Sequence, residues 1–211
     1  MGKKKVKETD EDKCLRILIG DGKPFQEPRY NALSYLEKIG GEKTLNAICE
    51  ALNKKLFLDW QARNIAIRLL GSLGGEQVID MLLNLLKEED HNSIRETIIR
   101  ELGNIQDDLI EQRKEISTSK QQKVVAHLCQ LLSGKNKESL WPIRHTVAWT
   151  LEIFKCEKSI AALETALSDE EEEVRERAKK SLFYLEHGCD YDLFHKRIKK
   201  CKSNKQAIKR A

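Results

Sequence analysis

The sequence predicts an all-α solenoid of about five helical hairpins, and three observations carry that expectation. The first is composition. Only 3 prolines occur in 211 residues, and Leu, Ile, Ala, Lys and Glu are heavily used, a mix that favours helix from end to end. The second is a recurrent arginine at the head of successive amphipathic stretches: Arg29, Arg63, Arg95, Arg144 and Arg175, separated by 34, 32, 49 and 31 residues. The third is the apolar stripe behind each arginine, followed by a second stripe of the same period.

The elements follow in order. Asp12 to Ile19, with Cys14, Leu15 and Leu18, reads as the second helix of an incomplete leading unit. Units then start near residues 28, 60, 93, 141 and 172. Arg29 precedes Ala32, Leu33, Leu36 and Ile39; Arg63 precedes Ala66, Ile67, Leu70 and Leu73; Arg95 precedes Ile98, Ile99, Leu102 and Ile105. Arg144 precedes Val147, Ala148, Leu151 and Phe154, and Arg175 precedes Ala178, Leu182 and Leu185. Second helices are expected around Leu45–Ile48–Leu52, Ile79–Leu82–Leu86, Val125–Leu128–Leu132, Ile160–Leu163–Leu167 and Tyr191–Phe194–Ile198. Gly40-Gly41 and Gly74-Gly75 mark the first two turns, where a helix C-terminus needs a left-handed residue. The repeat domain is therefore placed at 12–201, between a tail at 1–11 and a basic tail at 202–211.

This pattern resembles the HEAT-repeat family, in the short class named after phycobilisome lyases, over residues 12 to 201. The resemblance implies a right-handed superhelix of armadillo-like hairpins. It also implies that the arginine opening each first helix ties adjacent repeats through acidic groups of the preceding unit. The competing reading of the five arginines is an anion-binding track.

Departures from the repeat are where binding is sought. In the third unit, Gln106 to Lys120 adds about 14 residues between the two helices. It carries a weak helical stripe (Leu109, Ile110, Arg113, Ile116) and then Ser117-Thr118-Ser119, and is read either as a contact-making edge or as a solvated loop with a helical turn. Trp60 and Trp141 share a register and are expected to cover inter-repeat seams. Trp149 stands where the other units place Ser34, Arg68, Arg100 and Lys180; Ile153 stands opposite Lys38, Ser72, Asn104 and Tyr184. Trp149, Ile153 and Tyr184 are thus predicted to form an exposed apolar patch on the outer helices, unless distortion after Pro142 buries the indole. The second helices should build a concave face exposing Asn46, Glu50, Asp80, Asn84, Gln130, Thr165, Asp192 and Lys196. That face is polar, slightly acidic and almost without aromatics or arginine, unlike a nucleic-acid groove.

Charge supports the same exclusion. The net charge is +4, yet Cys14 to Phe194 holds 25 Lys plus Arg against 30 Asp plus Glu, a balance of about −5. The basic surplus lies in Lys3, Lys4, Lys5 and Lys7 and in Lys196 to Arg210, so nucleic acid is expected to engage the tails at most, and weakly. The 6 cysteines form no C-x-x-C pair or disulfide-like framework. No secretory signal or membrane-length apolar run is seen, and Val6 stands where a myristoylation signal needs Ser or Thr, so a reducing cytoplasmic setting is expected.

Motifs for chemistry fall short. IGDGKP at 19–24 lacks both the earlier glycine and the Ser or Thr of a phosphate loop, and reads as a turn. Deoxyhypusine hydroxylases, a HEAT-repeat enzyme family, hold di-iron with His-Glu pairs, and none of the 5 histidines here precedes a glutamate. Asp59-Trp60 is a faint echo of HEAT-like DNA glycosylases, placed at a seam and not in a groove. His187, Cys189, His195 and Cys201 match no common zinc spacing, and DEEEEV at 169–174 reads as an acidic helix start. No catalytic, cofactor or metal residue is assigned. The expected function is a non-catalytic scaffold or adaptor that binds another protein. The alternatives are an accessory subunit of a bilin-lyase-type or chaperone-like enzyme and, more weakly, a nucleic-acid-associated protein.

Overall fold

The computed structural model describes residues 9–19, 26–57, 59–112, 118–134 and 140–187. Both tails, the IGDGKP segment after Ile19, the expected last helix around Tyr191 and the concave positions Asp192 and Lys196 lie outside them. Among the described residues the secondary structure is helical, with no strand. The helices are α1 (Asp10–Ile19), α2 (Gln26–Ile39), α3 (Gly41–Asn53), α4 (Trp60–Gly74), α5 (Ile79–Glu88), α6 (Asn92–Glu111), α7 (Thr118–Leu132), α8 (Trp141–Phe154), α9 (Glu157–Ala166) and α10 (Glu172–His187), with a 3-10 turn at Gly75–Val78. The fold is an all-α solenoid type built from helical hairpins. It divides into two compact units, Met1–Val124 and Val125–Ala211, with the division inside α7.

In the first unit, α2, α4 and α6 form one layer, α2 against α4 and α4 against α6. Helix α3 packs on α4, and α5 on α6, as the second layer. Helix α1 packs on both α2 and α3, the place of a second helix that has lost its partner. Apolar side chains at helical spacing fill the space between layers: Leu33, Leu36, Ile48, Ile67, Leu70, Leu82, Ile94, Ile98 and Leu102 are all fully buried. In the second unit α8, α9 and α10 pack pairwise around Val147, Leu151, Leu163, Val174 and Ala178.

Local chemistry sets the ends. Asp59 caps α4, its carboxylate accepting the backbone N–H groups of Gln61 at 3.2 Å and Ala62 at 3.1 Å. The α2–α3 turn is closed by Gly40 and Gly41, both at positive φ (64° and 87°), a conformation only glycine adopts without strain. In the fourth unit the corresponding turn is made by Lys155 in the left-handed region, at φ 42° and ψ 41°. The third unit departs most. Residues 106–111 do not leave the helix: α6 runs on to Glu111, giving it 20 residues against 15 in α4, and Gln106 is buried within it. Residues 118–120 already belong to α7. Much of the expected insertion is therefore helix, because its weak stripe continues the α6 period.

The arginines act on the linkers between hairpins. Arg29 Nη1 donates to the carbonyl of Leu56 at 3.1 Å, beyond the end of α3. Arg63 pairs with Glu89 at 3.3 Å, beyond the end of α5. Arg144 makes a two-pronged contact with Asp169, Nε and Nη2 donating at 2.8 and 2.9 Å, and reaches Glu170 at 3.2 Å. Each thus reaches forward along the chain to the linker after its own hairpin, whereas the resemblance implied acidic groups of the preceding unit. Arg175 instead reaches back, donating to the carbonyls of Asp169 at 2.7 Å and Glu170 at 2.8 Å. The difference is geometric: a first-helix N-terminus lies beside the exit of the second helix, which is where the linker begins.

Burial separates these contacts in strength. Arg144 and Asp169 are both nearly inaccessible, while Arg63 is about a third exposed. Burial raises the Asp169 carboxyl, but hydrogen bonds from Arg144 and from the Glu171 N–H outweigh it and hold the group below the usual carboxylate range. Arg144→Ala should therefore cost about 3 kcal/mol, since it strands a buried carboxylate. Arg63→Ala should cost about 1 kcal/mol. Urea denaturation of the two variants measures both; equal losses would contradict the burial argument.

Candidate functional site

The outer face of the second unit is built by α8 and α10 lying side by side. Two contacts fasten them. Ser181 Oγ donates to the Ala148 carbonyl at 2.9 Å, and Arg177 pairs with Glu152 while also donating to Ser181 at 3.2 Å. All four groups are mostly buried, and burial pushes the Glu152 carboxyl up despite the pull of Arg177. Beside this fastening, Trp149 keeps 39% of its surface exposed, so Pro142 does not fold it into the core. Ile153, one turn on, is half-buried. Tyr184 is also half-buried, with the Lys180 ammonium 5.5 Å from its ring centre.

The concave positions are distributed over the two units. In the first unit, Asp80 and Asn84 line a cleft of about 480 Å³ with a floor of Leu52, Phe57, Ile67 and Leu85 and with Arg63 and Glu89 at its edge. Asp80 is already engaged by Lys123 of α7 at 3.1 Å. Asn46 lines a different groove, with Glu42, Cys49 and Gln77. Glu50 is exposed and pairs with Lys54 at 2.9 Å. In the second unit Gln130 and Thr165 are exposed on α7 and α9, and Thr165 Oγ1 is turned back to the Ala161 carbonyl at 2.9 Å. On the last turns of α6, Leu109 is half-buried and Ile110 is 46% exposed.

Several features were not anticipated from sequence. Trp60 lies at an inter-repeat seam as its register implies, but its partner there was not foreseen: it stacks on His91 with ring centres 5.4 Å apart and planes 10° apart, bridging the starts of α4 and α6. His187, considered for zinc, instead stacks on Phe183 at 4.5 Å; Cys189, His195 and Cys201 lie outside the described residues. The cleft could not be foreseen, because its floor residues read as ordinary core. Glu101 is the sharpest surprise. It is only 8% exposed in the α4–α6 seam, and a Cβ built on Gly71 would stand 2.5 Å from its Oε2. The signal was available: a glycine inside a helix costs about 1 kcal/mol, so Gly71 needed a packing reason.

Burial raises the Glu101 carboxyl, with Asp108 adding to it, while the Asn104 amide at 3.3 Å and the more distant Arg68 and Arg100 pull the other way. A carboxyl whose folded-state pKa is raised favours folding in its protonated form. Its contribution is therefore greatest below the ordinary carboxylate range and is lost as pH rises through that range to the raised value. Glu101→Gln should remove this pH dependence and raise stability at neutral pH by about 1 kcal/mol. Denaturation midpoints of both proteins between pH 4 and 8 test it. A variant less stable than the parent at neutral pH would show that the charge is compensated.

No helix of the described residues is long and apolar enough to cross a membrane. Residues 55–115, which span α4, α5 and α6, match the family described as HEAT repeats. No match was found among curated protein sequences. Among solved structures, the chain is similar to human deoxyhypusine hydroxylase in complex with glycerol, at 16% identity and a TM-score of 0.39, over 85% of this chain and 97% of that one. Hairpins joined through their leading arginines, together with the match over residues 55–115, show that this part of the chain is similar to HEAT repeats.

Proposed function

We propose that the chain is a non-catalytic scaffold or adaptor, and that it binds another protein through the outer face of its second unit. The observation that carries this reading is the exposure of Trp149 at a register where the other units have Ser34, Arg68, Arg100 and Lys180. An indole left partly in water forfeits transfer free energy, of order 25 cal/mol per Å² of apolar surface, which a covering partner would recover. Tryptophan and tyrosine also carry a large share of the energy of protein interfaces. Ile153 and Tyr184 extend the apolar surface, and the rigid fastening of α8 to α10 supplies preorganisation. The cleft over Asp80 and Asn84 supports this reading less, because Asp80 and Glu89 are engaged by Lys123 and Arg63.

Trp149→Lys should leave stability within about 0.5 kcal/mol while weakening association with the partner at least roughly tenfold. Denaturation and quantitative pull-down on the same preparation decide it. A loss of about 3 kcal/mol would make the indole a core residue and end the docking reading.

A further inference from the structure

Two cysteines from different helices meet at the first turn of α9. Cys129, in the last turn of α7, directs its Sγ at the carbonyl oxygen of Lys158, 3.6 Å away. Cys156 is the residue capping α9, and its Sγ lies 3.6 Å from the Oγ of Ser159. Ser159 is itself fixed, its hydroxyl donating to the Cys156 carbonyl at 2.8 Å and accepting the Cys156 N–H at 3.2 Å. The two sulfurs therefore rest against adjoining residues of one helical turn, and both side chains are partly open to solvent. They also feel one another: after burial, the neighbouring Cys156 is the next cause holding the Cys129 thiol above its ordinary range. Cys14 and Cys49 belong to the other unit.

We propose that Cys129 and Cys156 are a site of reversible oxidation that closes to a disulfide, tying α7 to α9 around the intervening α8. Each sulfur makes a weak 3.6 Å contact that the S–S bond would replace, and closure requires the two side chains to turn toward one another. With a peroxide as oxidant the chemistry balances. Cys156, reacting as its thiolate, attacks one peroxide oxygen. The O–O bond breaks, the sulfur becomes a sulfenic acid, and the departing hydroxide takes up a proton to give water. Cys129 then attacks that sulfur, the S–O bond breaks, and a second water leaves with the Cys129 proton. Two electrons pass from the sulfurs to the peroxide. This inference is independent of the Trp149 reading.

The test treats the full-length folded chain with a few equivalents of hydrogen peroxide, alkylates the remaining thiols and digests with trypsin. Cys129 then lies in the peptide 124–135 and Cys156 in 156–158. The expected product joins these two peptides, with a mass two hydrogens below their sum. It should be accompanied by a rise of about 5 °C in Tm that dithiothreitol reverses. Cys129→Ser and Cys156→Ser should each abolish the joined peptide and the shift. The proposal is overturned if both peptides are recovered singly, alkylated or over-oxidised. It is equally overturned if either cysteine is found mainly joined to a different one, or if the 129–156 link forms as readily in urea as in the folded chain.

Discussion

The fold depends on how a chain of short hairpins is made into a stack, and the contact that does so is a guanidinium set on an inter-hairpin linker. A linker leaves its helix with unsatisfied carbonyl groups and must then turn into the next unit. Arg29 meets such a carbonyl directly, Arg63 meets a linker carboxylate, and Arg144 meets both oxygens of one and a second carboxylate beside it. The planar fork of arginine fits all three arrangements, where a lysine ammonium would act as a point charge without the two-pronged geometry. Around Asp169 and Glu170 the clamp is doubled: Arg144 takes the side chains and Arg175 the backbone. Burial of apolar stripes supplies the driving force of the stack, and these contacts set where each hairpin stops and the next begins.

Much of this was legible in the sequence because it repeats. A stripe of period 3.6 behind a recurrent arginine states both the helix and its buried face, and the first-layer stripe residues in α4, α6 and α8 are buried almost without exception. What repetition could not state was the direction in which the arginine reaches. A register gives the face of a helix, but the partner depends on which linker the folded chain brings beside it. The same limit explains the third unit. A weak apolar stripe between 106 and 116 is compatible with a loop or with more helix, and packing resolved it as helix through Glu111.

The candidate surfaces were legible to a smaller degree, for a related reason. Trp149 is visible in sequence because it breaks a polar register, and its exposure follows from the outward direction of that register. Glu101 breaks a register too, standing where the other units have Tyr35, Leu69, Thr150 and Ser181, but its burial depends on a neighbour in the previous unit. Gly71 makes room for that carboxyl by having no Cβ. A single-unit view of the pattern holds no information about such complementary pairs. The concave positions illustrate the reverse case. They are individually exposed, yet two of them already carry side-chain partners, Asp80 with Lys123 and Glu50 with Lys54, which a register does not state.

The forward reach of the arginines has a consequence for how the chain is made. Arg29 finds its acceptor 27 residues later and Arg144 finds its carboxylate 25 residues later. On a ribosome, a hairpin whose arginine has emerged therefore stays unlatched until the following linker emerges too, a wait of roughly one to five seconds at ordinary elongation rates. The linkers met by Arg29, Arg63 and Arg144 each close the hairpin before them, in the order of synthesis. Assembly of this array is in that sense a zip fastener drawn in one direction, with the nascent chain end as its slider.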